Sequence, residues 1–183
     1  PSTFGFTASA TGSTVCFGTS TGTVTAAAPG GATPITYLWN NSATTGTQMN
    51  IAAGNYLVTV TDNNGCIATA STVVNAYPQL TATYTNTTAN CKDIAMTFTG
   101  SPNVGGYLYN WNFGDANTAN TRIANNTFTA TGIFSVVLTV TDNNGCTDTE
   151  SKQITIVNPP SVTATTVSTT TCVGCNGFVN LNI

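Results

Sequence analysis

The chain has 183 residues, 40% of them hydrophobic and only 5% charged, with three basic residues, six acidic ones and no histidine, for a net charge of −3. Such a composition argues against a disordered chain, which is poor in apolar residues and rich in charge, and against phosphate recognition, which neutralises phosphates with Lys and Arg. It also excludes Ser-His-Asp and Cys-His catalysis, and no apolar run approaches the ~18 residues that a membrane-spanning helix needs.

Threonine, valine, isoleucine and aromatic residues recur between clusters of Gly, Asn, Asp and Pro. The first group favours pleated strands and the second the turns between them. Good helix formers such as Leu, Glu, Lys and Gln are scarce. The composition predicts an all-β chain.

Along the chain, "TASATGSTVCFG" at 7–18 comes first, then "TYLWN" with Trp39, then "AAGNYLVTV" at 52–60. "VTVTDNNGC" follows at 58–66. Alternating Val and Thr give the period of a half-buried strand. Asp62, Asn64 and Gly65 then read as a turn, because Asn-Gly accepts positive φ at both residues, and Cys66 opens the next strand. The series then repeats. "LYNWN" carries Trp111, "ATGIFSVVLTV" stands at 130–140, and "LTVTDNNGC" at 138–146 carries Asp142, Asn144, Gly145 and Cys146. The repeat predicts two successive modules, 1–77 and 78–158, joined through "NAYPQL". A proline pair in "VNPPSV" leads into a third stretch, 159–183, whose "TATTVSTTTCVG" aligns with residues 7–18. It reads as the first strands of an incomplete module, cut from a longer tandem array.

Six cysteines in such a chain suggest a disulfide framework. Matching positions in the two modules predict Cys16–Cys66 and Cys91–Cys146. Cys172 and Cys175 form a CxxC without the βαβ setting of a redox motif or the further ligands of a zinc site. They are expected to be unpaired within 1–183 and to bond cysteines of the rest of the third module. Trp39 and Trp111 occupy the same place in each module. Each reads as a core tryptophan packed on its disulfide, as in immunoglobulin domains. Tyr37 and Tyr109 share the face of each Trp, leaving Tyr77 and Tyr107 as the aromatic residues most available to a sugar.

Calcium candidates are Asp62, Asp115 and Asp142, each offering one carboxylate where a tight site wants several. Asp148 and Glu150 share a strand face but lie in no evident cleft. Lys92 and Lys152 read as surface residues. The residues therefore imply no catalytic group and no cofactor beyond those calcium candidates.

Residues 30–66, "GGATPITYLWNNSATTGTQMNIAAGNYLVTVTDNNGC", resemble the SprB-type repeat of Bacteroidetes gliding-motility adhesins. "YNWNFGD" at 109–115, "ATGIFSVVLTVTDNNGC" at 130–146 and "KQITIV" at 152–157 resemble a PKD domain, with Ala116 and Phe128 departing from its pattern. The third stretch resembles a SprB-type variant with two extra cysteines. The resemblance implies tandem immunoglobulin-like β-sandwiches in a very large secreted surface protein, exported by the type IX route. The expected function is structural or adhesive and non-catalytic, extracellular on a bacterial surface. Its expected partners are neighbouring modules, other copies, surface glycans or other cells, with no nucleic acid and no direct membrane insertion. The alternatives are a filament subunit joined by β-strand addition through "TCVGCNGFVNLNI", and a carbohydrate-binding module of a secreted enzyme.

Overall fold

The computed structural model describes residues 5–88 and 90–160. Among them, all regular structure is strand. The first part holds β1 (Ser9–Gly12), β2 (Thr14–Val15), β3 (Gly22–Ala27), β4 (Thr36–Trp39), β5 (Thr47–Ile51), β6 (Gly54–Thr61) and β7 (Ile67–Ala76). The second holds β8 (Thr83–Asn86), β9 (Ala95–Ser101), β10 (Leu108–Asn112), β11 (Thr118–Ala119), β12 (Ile123–Thr127), β13 (Gly132–Thr141) and β14 (Thr147–Ile156).

Each part makes two facing sheets. The first has the orders β1-β3-β5 and β2-β7-β6-β4; the second has β12-β9-β8 and β11-β10-β13-β14. Strand alternation dictates the stacking. On β6, Val58 and Val60 point inward while Thr59 and Thr61 lie nearer solvent; on β13, Val136, Leu138 and Val140 do the same. A one-residue slip would turn each set to water, so burial sets the register, and each buried Val or Leu contributes about 1.5–3 kcal/mol. Two separate cores result. Trp39, Val24, Val58, Val60 and Val74 fill the first. Trp111, Phe98, Phe113, Phe128, Met96 and Leu138 fill the second. The chain is thus an all-β pair of immunoglobulin-like sandwiches.

The sandwiches match strand by strand. Trp39 pairs with Val58 on β6, and Trp111 with Leu138 on β13. β2 runs parallel to the end of β7, with Val15 opposite Ala76. Its counterpart is a single parallel bridge between Cys91 and Val157.

The cysteine pairing expected from the repeat is wrong. Neither Cys16–Cys66 nor Cys91–Cys146 forms; Cys16 bonds Cys146, with Cα atoms 5.5 Å apart and 130 residues between them in sequence. Strand length is the reason. Cys66 stands just before β7, and Cys16 lies beside that strand's far end. Ten extended residues span about 33 Å, whereas a disulfide needs Cα atoms within about 7 Å. β14 separates Cys146 from Cys91 in the same way. Neither core cluster contains a cystine, so the tryptophans pack on aromatic and aliphatic groups instead. Cys172, Cys175 and the strands expected after residue 160 lie outside the described residues.

Candidate functional site

The candidate site sits where the sandwiches meet. It begins with two turns of identical sequence, Asp-Asn-Asn-Gly-Cys. In the second, the Asp142 amide donates to the Cys146 carbonyl (2.9 Å) and the Gly145 amide to the Asp142 carbonyl (3.1 Å). Asp142 Oδ1 accepts the amides of Asn144 and Cys146, both at 2.8 Å. In the first, Asp62 Oδ1 accepts the amides of Asn64 (2.9 Å) and Cys66 (2.8 Å), and its Oδ2 accepts the Ala32 amide (3.2 Å). Gly65 and Gly145 have φ of 80° and 82°, left-handed values that glycine adopts without penalty. Burial acts to raise both aspartate pKa values, but the amides, led by those of Cys66 and Cys146, hold them below the usual carboxylate value.

The turn thus presents its cysteine rigidly, with the cysteine amide and carbonyl both bonded back to the aspartate. On the other side, Cys16 follows β2, and Thr19 fixes its carbonyl by both amide (3.1 Å) and hydroxyl (2.9 Å). The bridge Cys16–Cys146 closes this gap. Around it lies a cleft of about 210 Å³ lined by Phe17, Pro78, Leu80 and Asp148 among others. The connection at Pro78 is anchored at its far end, where the Ala82 amide donates to Asp148 Oδ2 at 2.7 Å. Tyr77 donates its amide to the Val15 carbonyl at 2.8 Å, tying the other end to the first sandwich.

The calcium candidates spend their oxygens on the protein itself. Asp115 Oδ1 accepts the Asn117 amide (3.1 Å), and its Oδ2 accepts Asn117 Nδ2 (3.0 Å) and Asn126 Nδ2 (2.8 Å). Asp62 and Asp142 are engaged as above. Among the described residues, no group of three His, Cys, Asp or Glu side chains is placed to hold a metal.

Trp39 and Trp111 are 2% and 0% exposed, and each indole N–H donates to a backbone carbonyl at 2.8 Å, that of Thr45 and that of Thr121. Tyr109 is buried and Tyr37, Tyr77 and Tyr107 half-buried. Tyr107 lines an open groove of about 390 Å³ with Gln79, Pro102, Val104 and Asn144. Asp148 holds the connection and Glu150 lies 3.6 Å from Lys152 Nζ. Lys92 lies 3.7 Å from Asp93. Among the described residues Cys66 is an exposed free thiol and Cys91 a half-buried one. Sequence reasoning missed the junction because every cysteine that forms it has a counterpart at the same module position.

Two tandem immunoglobulin-like sandwiches, covalently joined, define the class of protein. Family models place it further: a SprB repeat matches residues 8–44 and a PKD domain matches residues 75–156. The chain therefore carries a SprB repeat followed by a PKD domain. Collagenase ColA of Clostridium perfringens is 46% identical over 54 residues, which is 30% of this chain and 5% of that protein. The PKD1 domain of the Vibrio cholerae metalloprotease PrtV is 28% identical, with a TM-score of 0.35, covering 41% of this chain and 93% of that one. The PKD1 domain of Vibrio anguillarum Epp is 23% identical, with a TM-score of 0.38, covering 43% of this chain and 94% of that one. No helix among the described residues is long and apolar enough to cross a membrane.

Proposed function

We propose that the chain is a non-catalytic structural segment of a large, secreted bacterial surface protein, an adhesin or stalk, exported by the type IX route. The observation that carries this reading is the Cys16–Cys146 bridge. Tension entering from the N-terminal side reaches Cys16, crosses to Cys146 and leaves toward the C-terminal side. The 130 residues of chain separation between the cysteines are bypassed. A segment built this way keeps its length under load, which suits a spacer. SprB and PKD matches on one chain support the same role. The low charge leaves a surface rich in Thr and Asn that hydrogen-bonds water and offers trypsin-like proteases few cleavage sites.

An antibody raised against residues 5–160 tests the proposal on intact cells and on reduced, boiled extracts. It predicts a polypeptide of hundreds of kilodaltons, stripped from intact cells by added protease. A band near 18.7 kDa, or antigen reached only after lysis, overturns it; the short chain would favour a filament assembled by β-strand addition.

A second reading rests on Tyr107, which lines the 390 Å³ groove together with Gln79 and Asn144. Aromatic faces flanked by amides suit a sugar. Glycan binding that is lost in Tyr107→Ala supports a carbohydrate-binding role, and an array with no binding removes it.

A further inference from the structure

Each sandwich carries two cysteines at opposite ends, and the structure uses one from each. Their equivalence is set by hydrogen bonds. The Tyr77 amide donates to the Val15 carbonyl at 2.8 Å; 80 positions on, the Val157 amide donates to the Asn90 carbonyl at 3.0 Å. Val15 therefore corresponds to Asn90, and Cys16 to Cys91. Cys66 corresponds to Cys146, since both amides bond the turn aspartate at 2.8 Å and both carbonyls accept its amide. Each sandwich thus has an exit cysteine, Cys16 or Cys91, where the chain leaves, and a turn cysteine, Cys66 or Cys146, at the other end. The observed bridge joins the exit cysteine of the first to the turn cysteine of the second. What remain are the turn cysteine of the first sandwich and the exit cysteine of the second, and among the described residues both are free thiols.

We infer that Cys66 and Cys91 are the two open ends of a head-to-tail chain of inter-module disulfides. Cys91 takes the turn cysteine of a following module of the same kind, and Cys66 takes the exit cysteine of a preceding one. The occupant is specified by the junction already present, a cysteine held at the end of an Asp-x-x-Gly turn. Such a contact joins two different surfaces rather than one self-complementary patch, and because the two cysteines of each sandwich lie at opposite ends of β7 or β14, repetition extends the line of modules. The connecting sequences agree: "PQLTAT" at 78–83, which forms the observed junction, recurs as "PSVTAT" at 160–165. Each bridge forms when two thiols lose two protons and two electrons to a disulfide oxidant, which is reduced to a dithiol. The inference extends the stalk reading, because a daisy chain of bridges carries load from module to module without unfolding any of them.

The test is a disulfide map of the native polypeptide. Free thiols are alkylated on isolation, and the protein is cut with pepsin at acid pH without reduction, which also suppresses exchange. The expected map has Cys16 with Cys146, Cys91 with a cysteine that ends an Asp-x-x-Gly turn of another module, and Cys66 with an exit cysteine. Where no further module exists, the expected partner of Cys91 is Cys66 of a second copy, seen as a ladder of multimers on a non-reducing gel. Alkylated Cys66 or Cys91, a bond from Cys91 to Cys172 or Cys175, or a Cys66–Cys91 bond within one monomer overturns the inference. Those results leave the stalk proposal standing if Cys16–Cys146 is intact; loss of that bridge from the map removes the proposal's support as well.

Discussion

Cys16 and Cys146 are bonded across the junction of two sandwiches, although 130 residues separate them in sequence. The bond leaves both cores intact and ties the exit end of one sandwich to the entry turn of the next. Closing a loop of this length contributes about 5 kcal/mol in the chain-entropy model. Cys16→Ser or Cys146→Ser is expected to lower the unfolding midpoint and to split one thermal transition into two, one for each core. Cys66→Ser serves as the control and should leave the calorimetric trace unchanged. A trace in which Cys66→Ser destabilises as much as Cys16→Ser would restore a bond within the first sandwich.

The two turn aspartates predict an acid limb in stability. Their folded pKa values lie below the usual carboxylate value of about 3.9, so the unfolded chain takes up protons first as pH falls. The stabilisation is complete above about pH 5 and is lost as pH drops below about 4 through the folded values. Denaturant midpoints should be flat from pH 7 to 5 and then decline. In the Asp62→Asn, Asp142→Asn double variant, the amide oxygens still accept the turn N–H groups but do not titrate in this range, so the decline should be shallower. An unchanged decline would assign the acid sensitivity to other carboxylates.

Ala116 has φ of 73°, a left-handed conformation, in the turn between β10 and β11. PKD-like sequences usually place glycine there, and the alanine keeps the turn's shape at the cost of crowding its Cβ. Ala116→Gly relieves that crowding, partly offset by the extra freedom of the unfolded chain. A gain of about 0.5–1 kcal/mol is expected by urea titration. A loss of stability would mean that the methyl group packs usefully.

Trp111 stacks on Phe113 with ring centroids 5.9 Å apart, meets Tyr84 edge-on at 5.2 Å, and gives its N–H to Thr121. Trp111→Ala should cost about 3–5 kcal/mol, and Trp111→Phe less, since the orphaned Thr121 carbonyl then carries most of the loss. Because the first sandwich has its own core, the damage should be confined to the second. Hydrogen exchange would show Val58 and Val60 amides still protected in the variant.

Most of the architecture was legible. Alternating Val and Thr before Asp-Asn-Asn-Gly defines strand and turn in both copies, and the Trp positions mark β4 and β10, the strands that pair with β6 and β13. The disulfide was not legible, for a physical reason. Cys16 and Cys66 repeat as Cys91 and Cys146, so any pairing rule based on module position fits bonds within modules and bonds between modules equally well. What decides is that β7 and β14 run the full length of each sandwich and put the two cysteines at opposite ends. The run 67–76 between turn and linker carried that information, but its meaning depends on the parallel pairing of Val15 with Ala76. Nothing local marks that pairing, since β2 is only two residues long.

The most direct test of a load-bearing junction is to stretch single molecules of the chain from its ends, with and without reductant. With the bridge intact, only residues outside Cys16 and Cys146 can lengthen. Reduction should add roughly 430–470 Å of contour length, at 3.3–3.6 Å for each of the 130 residues released. An extension that is the same in both conditions would show that no disulfide bridges the two sandwiches, and the account of this chain as an inextensible spacer would be wrong.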